Sequence, residues 1–127
     1  MDFGCAACFR GSAPEVWKAK PFVSVSRLVD DSHFTVDVMK CRTCGQPCVK
    51  VFTEFIDSQA GDDAQYWSVI PLTPIESGRL IAQGQKVNTK LIEAMSHGRR
   101  YLQADYPTGK NERVVWSVGP LWIMQGS

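Results

Sequence analysis

The sequence predicts an α+β fold, with an antiparallel sheet of about six strands and two short helices. Segments in which apolar and polar residues alternate recur along the chain, and a helix-capping motif follows the fourth of them. Two Cys-x-x-Cys pairs lie among the first 44 residues. Alternation with a period of two is typical of half-buried strands, and the paired cysteines indicate a metal site that joins two turns. We expect residues 1–127 to form a single domain.

The predicted strands are separated by turn residues. The alternating segments are 22–29, 33–40, 49–56, 65–70, 100–105 and 113–118. Asp30-Asp31-Ser32 and the segment 107–111 have turn composition, so the first two and the last two strands are expected to be hairpins. Residues 11–21 contain glycine and two prolines and are expected to be a loop, and residues 121–123 a last short extended piece.

Two helices are predicted between the fourth and fifth strands. Thr73-Pro74-Ile75-Glu76 has the composition of a capping box with proline at the first helical position, which predicts a helix over about 73–83. A second helix is predicted over about 89–97 and should end before Gly98. Its apolar face consists of Leu91, Ile92 and Met95.

The four paired cysteines are the predicted metal ligands: Cys5, Cys8, Cys41 and Cys44. Two cysteines separated by two residues can bind one ion because the turn between them aims both sulfurs inward. Four thiolates make a closed tetrahedral site, so a structural Zn²⁺ is the predicted cofactor. Iron is bound by the same ligand set, and the spacing leaves that alternative open. Disulfides are not expected, because the cysteine count is odd and no secretory signal is visible.

The second pair has the better-formed metal turn. Cys44 is followed by Gly45, and predicted strands lead into and out of the turn. This part of the chain, about residues 5–56, resembles the zinc-ribbon or rubredoxin-type knuckle proteins. The resemblance implies a strand, metal turn, strand arrangement and a structural metal, but it implies little about function. The first pair lacks a glycine after Cys8, and Cys48 is expected to be a buried apolar residue rather than a ligand.

Composition and charge limit the possible functions. The chain is 44% hydrophobic and 21% charged, which is ordinary for globular proteins. It has no apolar run long enough to cross a membrane and no N-terminal signal, so a cytoplasmic protein is expected. The formal net charge is +1, and four thiolates with one Zn²⁺ lower it to about −1. That balance is unfavourable for a general nucleic-acid binder.

The histidines do not suggest catalysis, and the protein is predicted to be non-enzymatic. Only His33 and His97 are present, and neither belongs to a recognisable Ser-His-Asp or Cys-His grouping. His97 is expected in the last turn of the second helix, where a cation interacts favourably with the helix dipole. His33 is expected at the surface, where a strand begins.

An acidic segment next to aromatic residues is the predicted partner-binding site. Residues 51–78 contain five acids and no base. The predicted contacts to a basic partner protein are Asp57, Asp62, Asp63 and Trp67, with charge setting the association rate and the aromatic ring the affinity. A small bacterial inhibitor or immunity-type protein would have this character. A solvated loop is the simpler interpretation of the acids, and a divalent-cation site is a further alternative.

The nucleic-acid alternative uses basic residues near the last hairpin. Arg99, Arg100, Lys110 and Arg113 would cluster there if the two strands pair. A solvated hairpin face is again the simpler interpretation. Among the tryptophans, Trp67 and Trp116 lie in predicted strands and are expected in the core, whereas Trp17 and Trp122 are better candidates for exposed contacts.

Overall fold

The computed structural model describes residues 3–55, 64–107, 111–119, 121 and 123. The α+β prediction is confirmed: six strands form one antiparallel sheet, and three helices accompany it. In chain order the elements are α1 (Ala13–Ala19), β1 (Phe22–Asp31), β2 (Phe34–Cys41), β3 (Pro47–Phe55), β4 (Ala64–Pro71), α2 (Pro74–Gln83), α3 (Thr89–Met95), β5 (Arg100–Tyr106) and β6 (Arg113–Val118). No described helix is both long and apolar enough to cross a bilayer.

The sheet is a simple meander in which every strand pairs with the next one in the chain. Cys48 lies opposite Met39 and Pro71, and Val69 lies opposite Lys50 and Leu102. Because side chains alternate along a strand, these residues share one face, which we call the metal face. Their neighbours in sequence point to the other face, which we call the helix face.

The helix face carries the larger core, under α2 and α3. Its buried residues come from strands, helices and the chain end: Leu28, Val36, Val38, Val49, Val51, Ile70, Leu72, Leu80, Ile92, Met95, Tyr101, Leu121 and Ile123. The predicted capping box is present at the start of α2. The Thr73 backbone N–H donates to Glu76 Oε1 at 2.8 Å, and the Glu76 backbone N–H donates to Thr73 Oγ1 at 3.2 Å.

Helix α1 was not predicted, and it covers part of the metal face. Ser12 caps it by accepting a hydrogen bond from the Glu15 backbone N–H at 3.4 Å, and Pro14 lies in its first turn. Proline is tolerated there because the first helical N–H groups have no partner within the helix. Ala13 and Val16 are buried against the sheet. The loop prediction for residues 11–21 was therefore wrong, because Pro14 lies in the first turn of a helix, where proline does not prevent helix formation.

The predicted second helix was slightly too long. Helix α3 ends at Met95, and the Ser96 hydroxyl donates to the Glu93 carbonyl at 2.6 Å while accepting the Leu121 backbone N–H at 2.8 Å. This buried hydroxyl fixes the helix end against the C-terminal segment. His97 follows the helix and is exposed, so it is not in the last helical turn.

Lys20 ends α1 in an unfavourable backbone conformation. It is the one described non-glycine residue with positive φ, at φ 49° and ψ 61°, and its N–H donates to the Val16 carbonyl. A side chain in this left-handed region costs roughly 1–2 kcal/mol, whereas glycine adopts it freely.

We therefore predict that Lys20→Gly stabilises the protein. Relief of backbone strain exceeds the extra chain entropy of glycine, for a net gain of roughly 0.5–1 kcal/mol in the free energy of unfolding. Urea denaturation of the metal-loaded protein measures it. Lys18→Gly, an exposed position inside the same helix, is the matched control and should cost about 1 kcal/mol. Equal effects of the two substitutions would contradict the assigned conformation of Lys20.

Candidate metal centre

The structure brings the four predicted cysteine ligands together. Their sulfur atoms all lie within 4.8 Å of one another. The Sγ–Sγ distances are 3.8 Å for Cys5 and Cys8, 3.9 Å for Cys5 and Cys41, and 3.8 Å for Cys8 and Cys44. A tetrahedral ion with metal–sulfur bonds of about 2.3 Å has ligand–ligand edges of about 3.8 Å. The cluster is therefore positioned to bind one metal ion, since three of its edges have the tetrahedral length, and these sulfurs are too far apart for disulfides.

The N-terminal cysteine turn depends on a glycine that precedes it. The backbone N–H groups of Cys8, Phe9 and Arg10 all donate to the Cys5 carbonyl at 3.1 Å, and the Cys5 N–H donates to Cys8 Sγ at 3.1 Å. Gly4 has φ +73°, and a Cβ atom there would lie 2.5 Å from Cys8 Sγ. Glycine is thus required twice, for its conformation and for its lack of a side chain. A glycine after the second cysteine is the usual mark of such a turn. Gly4 precedes the first cysteine instead, so its role was not predicted from the sequence.

The second turn connects two paired strands, as predicted. Strand β2 ends at Cys41 and β3 begins at Pro47. The Gly45 N–H donates to the Cys41 carbonyl at 2.9 Å, and the Cys41 N–H donates to the Gln46 carbonyl at 2.9 Å. Gly45 has φ +79°, and a Cβ atom added there would meet nothing within 4 Å, so only its conformation requires glycine. The strand, metal turn, strand arrangement is present here.

Gln46 joins the two halves of the site. Its side-chain oxygen accepts the Gly4 N–H at 3.0 Å, and its side-chain nitrogen donates to the carbonyls of Pro47 at 2.9 Å and Leu72 at 2.7 Å. The amide thus fixes the segment before Cys5 to the ends of β3 and β4. Gln46 directly follows the Cys-x-x-Cys-Gly turn, so the sequence alone could have indicated a role in the site. Its hydrogen-bond partners Gly4 and Leu72 are remote in sequence and could not be predicted.

The four thiols differ in their acidity. Burial raises the pKa of Cys8 far above its usual range, and burial also raises the pKa of Cys44. Burial acts the same way on Cys41, but hydrogen bonds from the backbone N–H groups of Cys44 and Thr43 outweigh it and hold the pKa of Cys41 at about 7. Cys41 is therefore partly ionised at neutral pH, and a bound cation would deprotonate all four thiols.

Access to the cluster is from one side. Cys8 and Cys41 are buried, Cys5 is half-buried and Cys44 is exposed, so an ion or a chelator can reach the site past Cys44. Cys48 is fully buried on the metal face beside the cluster, but its sulfur is not part of the ligand group. Burial raises the pKa of Cys48, which keeps this thiol neutral.

The first cysteine turn, which contains Cys5 and Cys8, is packed onto the sheet by aromatic residues. The Phe9 ring lies 5.6 Å from that of Phe22 and 6.1 Å from that of Trp116. Trp116 Nε1 donates to the Gly11 carbonyl at 2.9 Å, and the Arg100 guanidinium lies 4.2 Å from the Trp116 ring centre. The cysteine cluster, α1 and strands β5 and β6 thus form one packed layer.

The three basic residues of the nucleic-acid alternative that the structure describes, Arg99, Arg100 and Arg113, do not form a cluster. Arg99 donates to both carboxylate oxygens of Glu76 and to the Pro71 carbonyl, and it is largely buried. In the register of β5 and β6, Arg100 lies opposite Val118 and Arg113 lies opposite Asp105. The two arginines are therefore at opposite ends of the hairpin. Lys110 lies outside the described residues.

The tryptophan predictions were partly wrong. Trp17 is half-buried on α1 rather than in an irregular segment, and its indole N–H donates to the Tyr106 hydroxyl at 2.8 Å. Trp67 is half-buried on the metal face, and its ring lies 5.5 Å from that of Trp17. Trp116 packs against the metal-face core, as expected. Trp122 and the acids Asp57, Asp62 and Asp63 lie outside the described residues.

Comparisons with models of protein families, with curated proteins and with solved structures gave no match to this chain. The resemblance to zinc-ribbon knuckles therefore depends on the cysteine cluster and its two turns alone.

We predict that Gly4→Ala and Gly45→Ala differ in their effect on metal binding. Both substitutions place a side chain at positive φ, but only the one at Gly4 displaces a ligand sulfur. Gly4→Ala should weaken metal binding by at least tenfold more than Gly45→Ala, measured by competition with a chromophoric chelator. Equal affinities of the two variants would show that the segment before Cys5 does not determine the position of Cys8.

Proposed function

We propose that the protein is a non-enzymatic interaction module in which one structural Zn²⁺ builds a binding surface for another protein. The observation that carries this proposal is the four-sulfur cluster, in which all sulfurs lie within 4.8 Å of one another and three of the distances are 3.8–3.9 Å. Four thiolates complete the coordination of Zn²⁺ and leave no position for water or substrate, which suits a structural role. Zinc is preferred to iron because a purely structural site needs no redox chemistry.

The metal turn positions an aromatic cluster on the metal face. The aromatic cluster consists of Trp17, Phe52, Trp67 and Tyr106, and all four side chains are half-buried. The Trp67 ring lies 4.9 Å from that of Phe52 and 5.3 Å from that of Tyr106. Trp17 reaches this cluster from α1, which directly follows the first cysteine turn. Metal binding should therefore influence the geometry of the aromatic cluster through α1.

The aromatic cluster has the chemistry of a protein-binding surface. Partly exposed tryptophan and tyrosine side chains contribute large contact areas at low entropic cost and are enriched at the centres of interfaces. Strands β3, β4 and β5 and helix α1 each contribute one ring, and the Trp67 ring packs against the other three. Trp67 is therefore at the centre of the aromatic cluster. This position supports it as a partner contact more strongly than its location near the acidic segment of the sequence.

Negative charge borders the aromatic cluster next to Phe52 and favours a basic partner there, whereas the Lys50 ammonium lies 6.0 Å from the Trp17 ring centre. Glu54 lies on the metal face two residues after Phe52, where it accepts a hydrogen bond from Gln65 at 2.7 Å and contacts His33 Nδ1 at 3.1 Å. These contacts lower the pKa of Glu54 and keep it ionised. The predicted acids Asp57, Asp62 and Asp63 follow in the connection between β3 and β4. We propose that they guide a basic partner, as in a small inhibitor or immunity-type protein.

The nucleic-acid alternative has less support. Arg99 is engaged by Glu76, and the hairpin separates Arg100 from Arg113. A surface that tracks a phosphate backbone needs such cations side by side.

The zinc proposal predicts a specific metal content. The purified protein should contain one Zn²⁺ per chain by elemental mass spectrometry, and Cys44→Ala should lose it together with several kcal/mol of stability. Cys48→Ala is the matched control, since this cysteine is buried beside the cluster without being a ligand. It should keep the zinc and cost only about 1–2 kcal/mol. Iron in place of zinc, or loss of metal from both variants, would contradict the assignment.

The interaction proposal predicts that substitutions of Trp67 and of its neighbour Tyr66 differ in their effect on the affinity for a partner protein. Trp67 and Tyr66 are both half-buried on β4 but point to opposite faces of the sheet. The wild-type protein should capture a basic partner from the cells that produce it, and the affinity for that partner is then measured with purified components. Trp67→Ala should weaken it at least tenfold, whereas Tyr66→Ala should leave it nearly unchanged.

Charge reversal tests the acidic contribution separately. Asp62→Lys combined with Asp63→Lys should slow association and reduce its dependence on salt, with little change in the dissociation rate. An unchanged association rate would exclude these acids from the interface. Binding of generic RNA or DNA that weakens steeply with salt would instead support the nucleic-acid alternative.

A further inference from the structure

A cleft of about 230 Å³ opens on the metal face between α1 and strands β1, β2, β3 and β4. Its walls are apolar and largely aromatic: Trp17 and Trp67, whose rings lie 5.5 Å apart, line it together with Phe22 and Met39. Drug-sized ligands occupy sites of roughly 300–1,000 Å³, so this cleft suits a molecule of one or two rings.

The charged residues that the structure describes in the cleft wall are both positive. They are Lys50, which is half-buried on β3, and Lys20, which is exposed at the end of α1. The Lys50 ammonium lies 6.0 Å from the Trp17 ring centre. Among the described residues, no carboxylate forms an ion pair with either lysine. Two ammonium groups at an apolar cleft, neither of them neutralised by a described carboxylate, make the cleft a place where an anion would be stabilised.

The acid that lies opposite Lys50 is already engaged. Asp37 occupies the paired position on β2 and is nearly completely buried. The Arg27 guanidinium donates to both of its carboxylate oxygens, at 2.8 Å and 3.1 Å. Burial and the nearby cations Lys20 and Arg27 lower the pKa of Lys50, against the opposing effect of Asp37. The local charge balance at the cleft is therefore positive.

Lys20 adds an independent argument. It occupies a left-handed position that glycine would fill without strain, and its side chain lines the cleft. Strained residues of this kind concentrate at ligand sites, where the side chain has a use that offsets its backbone cost.

We propose that this cleft binds a small planar carboxylate, with its ring against Trp17 and Trp67 and its carboxylate between Lys50 and Lys20. A carboxylate fits better than a phosphate, because a single half-buried ammonium among apolar walls can offset the desolvation of one negative charge but not of two. The inference goes beyond the proposed function, since it concerns a small molecule and needs no partner protein.

The test uses three probes that share an indole ring and a two-carbon linker but differ in charge, on the zinc-loaded full chain. Indole-3-propionate is the anion, indole-3-propionamide the neutral analogue and tryptamine the cation. Binding is followed by the chemical shifts of the Trp17 and Trp67 indole N–H groups in ¹H–¹⁵N spectra. The anion should bind at least tenfold more tightly than the amide, and the amine should not bind detectably.

Variants assign the charge preference to particular residues. Lys50→Met should lower the affinity for indole-3-propionate at least tenfold and leave the affinity for the amide within about twofold. Lys40→Met, which removes an exposed lysine on the helix face, is the matched control and should change neither. Lys20→Gly should weaken binding of the anion about threefold while the protein remains folded, so an altered fold cannot explain the result.

Three outcomes would overturn the proposal. They are no binding of the anion up to millimolar concentration, equal binding of the anion and the amide, and an unchanged affinity in Lys50→Met. None of them bears on the interaction proposal, which is tested with a protein partner.

Discussion

The closed arrangement of four sulfurs is the constraint on which the metal face depends. It connects the first residues of the chain to the turn between β2 and β3, and so determines where α1 begins. Helix α1 has only seven residues, far fewer than an isolated helix needs to be stable in water. Its stability must come from packing, and a metal bound by the four sulfurs would add to it; structural zinc supplies on the order of 10 kcal/mol of apparent binding free energy in small zinc domains. The helix face, with its own continuous core, does not share this dependence.

Strand β3 orders the regions of the metal face. Its alternate residues are Cys48 beside the sulfurs, Lys50 in the cleft, Phe52 in the aromatic cluster and Glu54 at the acidic end. Because these positions are two residues apart, a register shift of one residue would turn all four side chains to the helix face. The hydrogen bond from the Cys41 N–H to the Gln46 carbonyl closes the turn that sets this register. The metal turn thus determines the chemistry of the surface as well as its stability.

The sequence predicted the parts of the fold that local patterns specify. Period-two alternation located all six strands, the Thr73 capping box located α2, and cysteine spacing identified the ligand set. It did not predict contacts between remote residues. Trp17 and Tyr106 are 89 positions apart, so neither the aromatic cluster nor the cleft could be derived from spacing. Helix α1 could have been predicted, because a serine two residues before a proline is also a helix-start signal.

Arg99 was a candidate for a phosphate-binding surface, but in the structure it has a different role. It stabilises the position of the segment before Cys5. It bridges Glu76 of the capping box and the Pro71 carbonyl, and its guanidinium lies 5.1 Å from the Phe3 ring centre. Gln46 fixes the adjacent Gly4 N–H from the other side. These contacts involve no metal, so we expect them to hold the segment before Cys5 near its final position before an ion binds. Less conformational entropy is then lost when an ion binds, which favours a stable site.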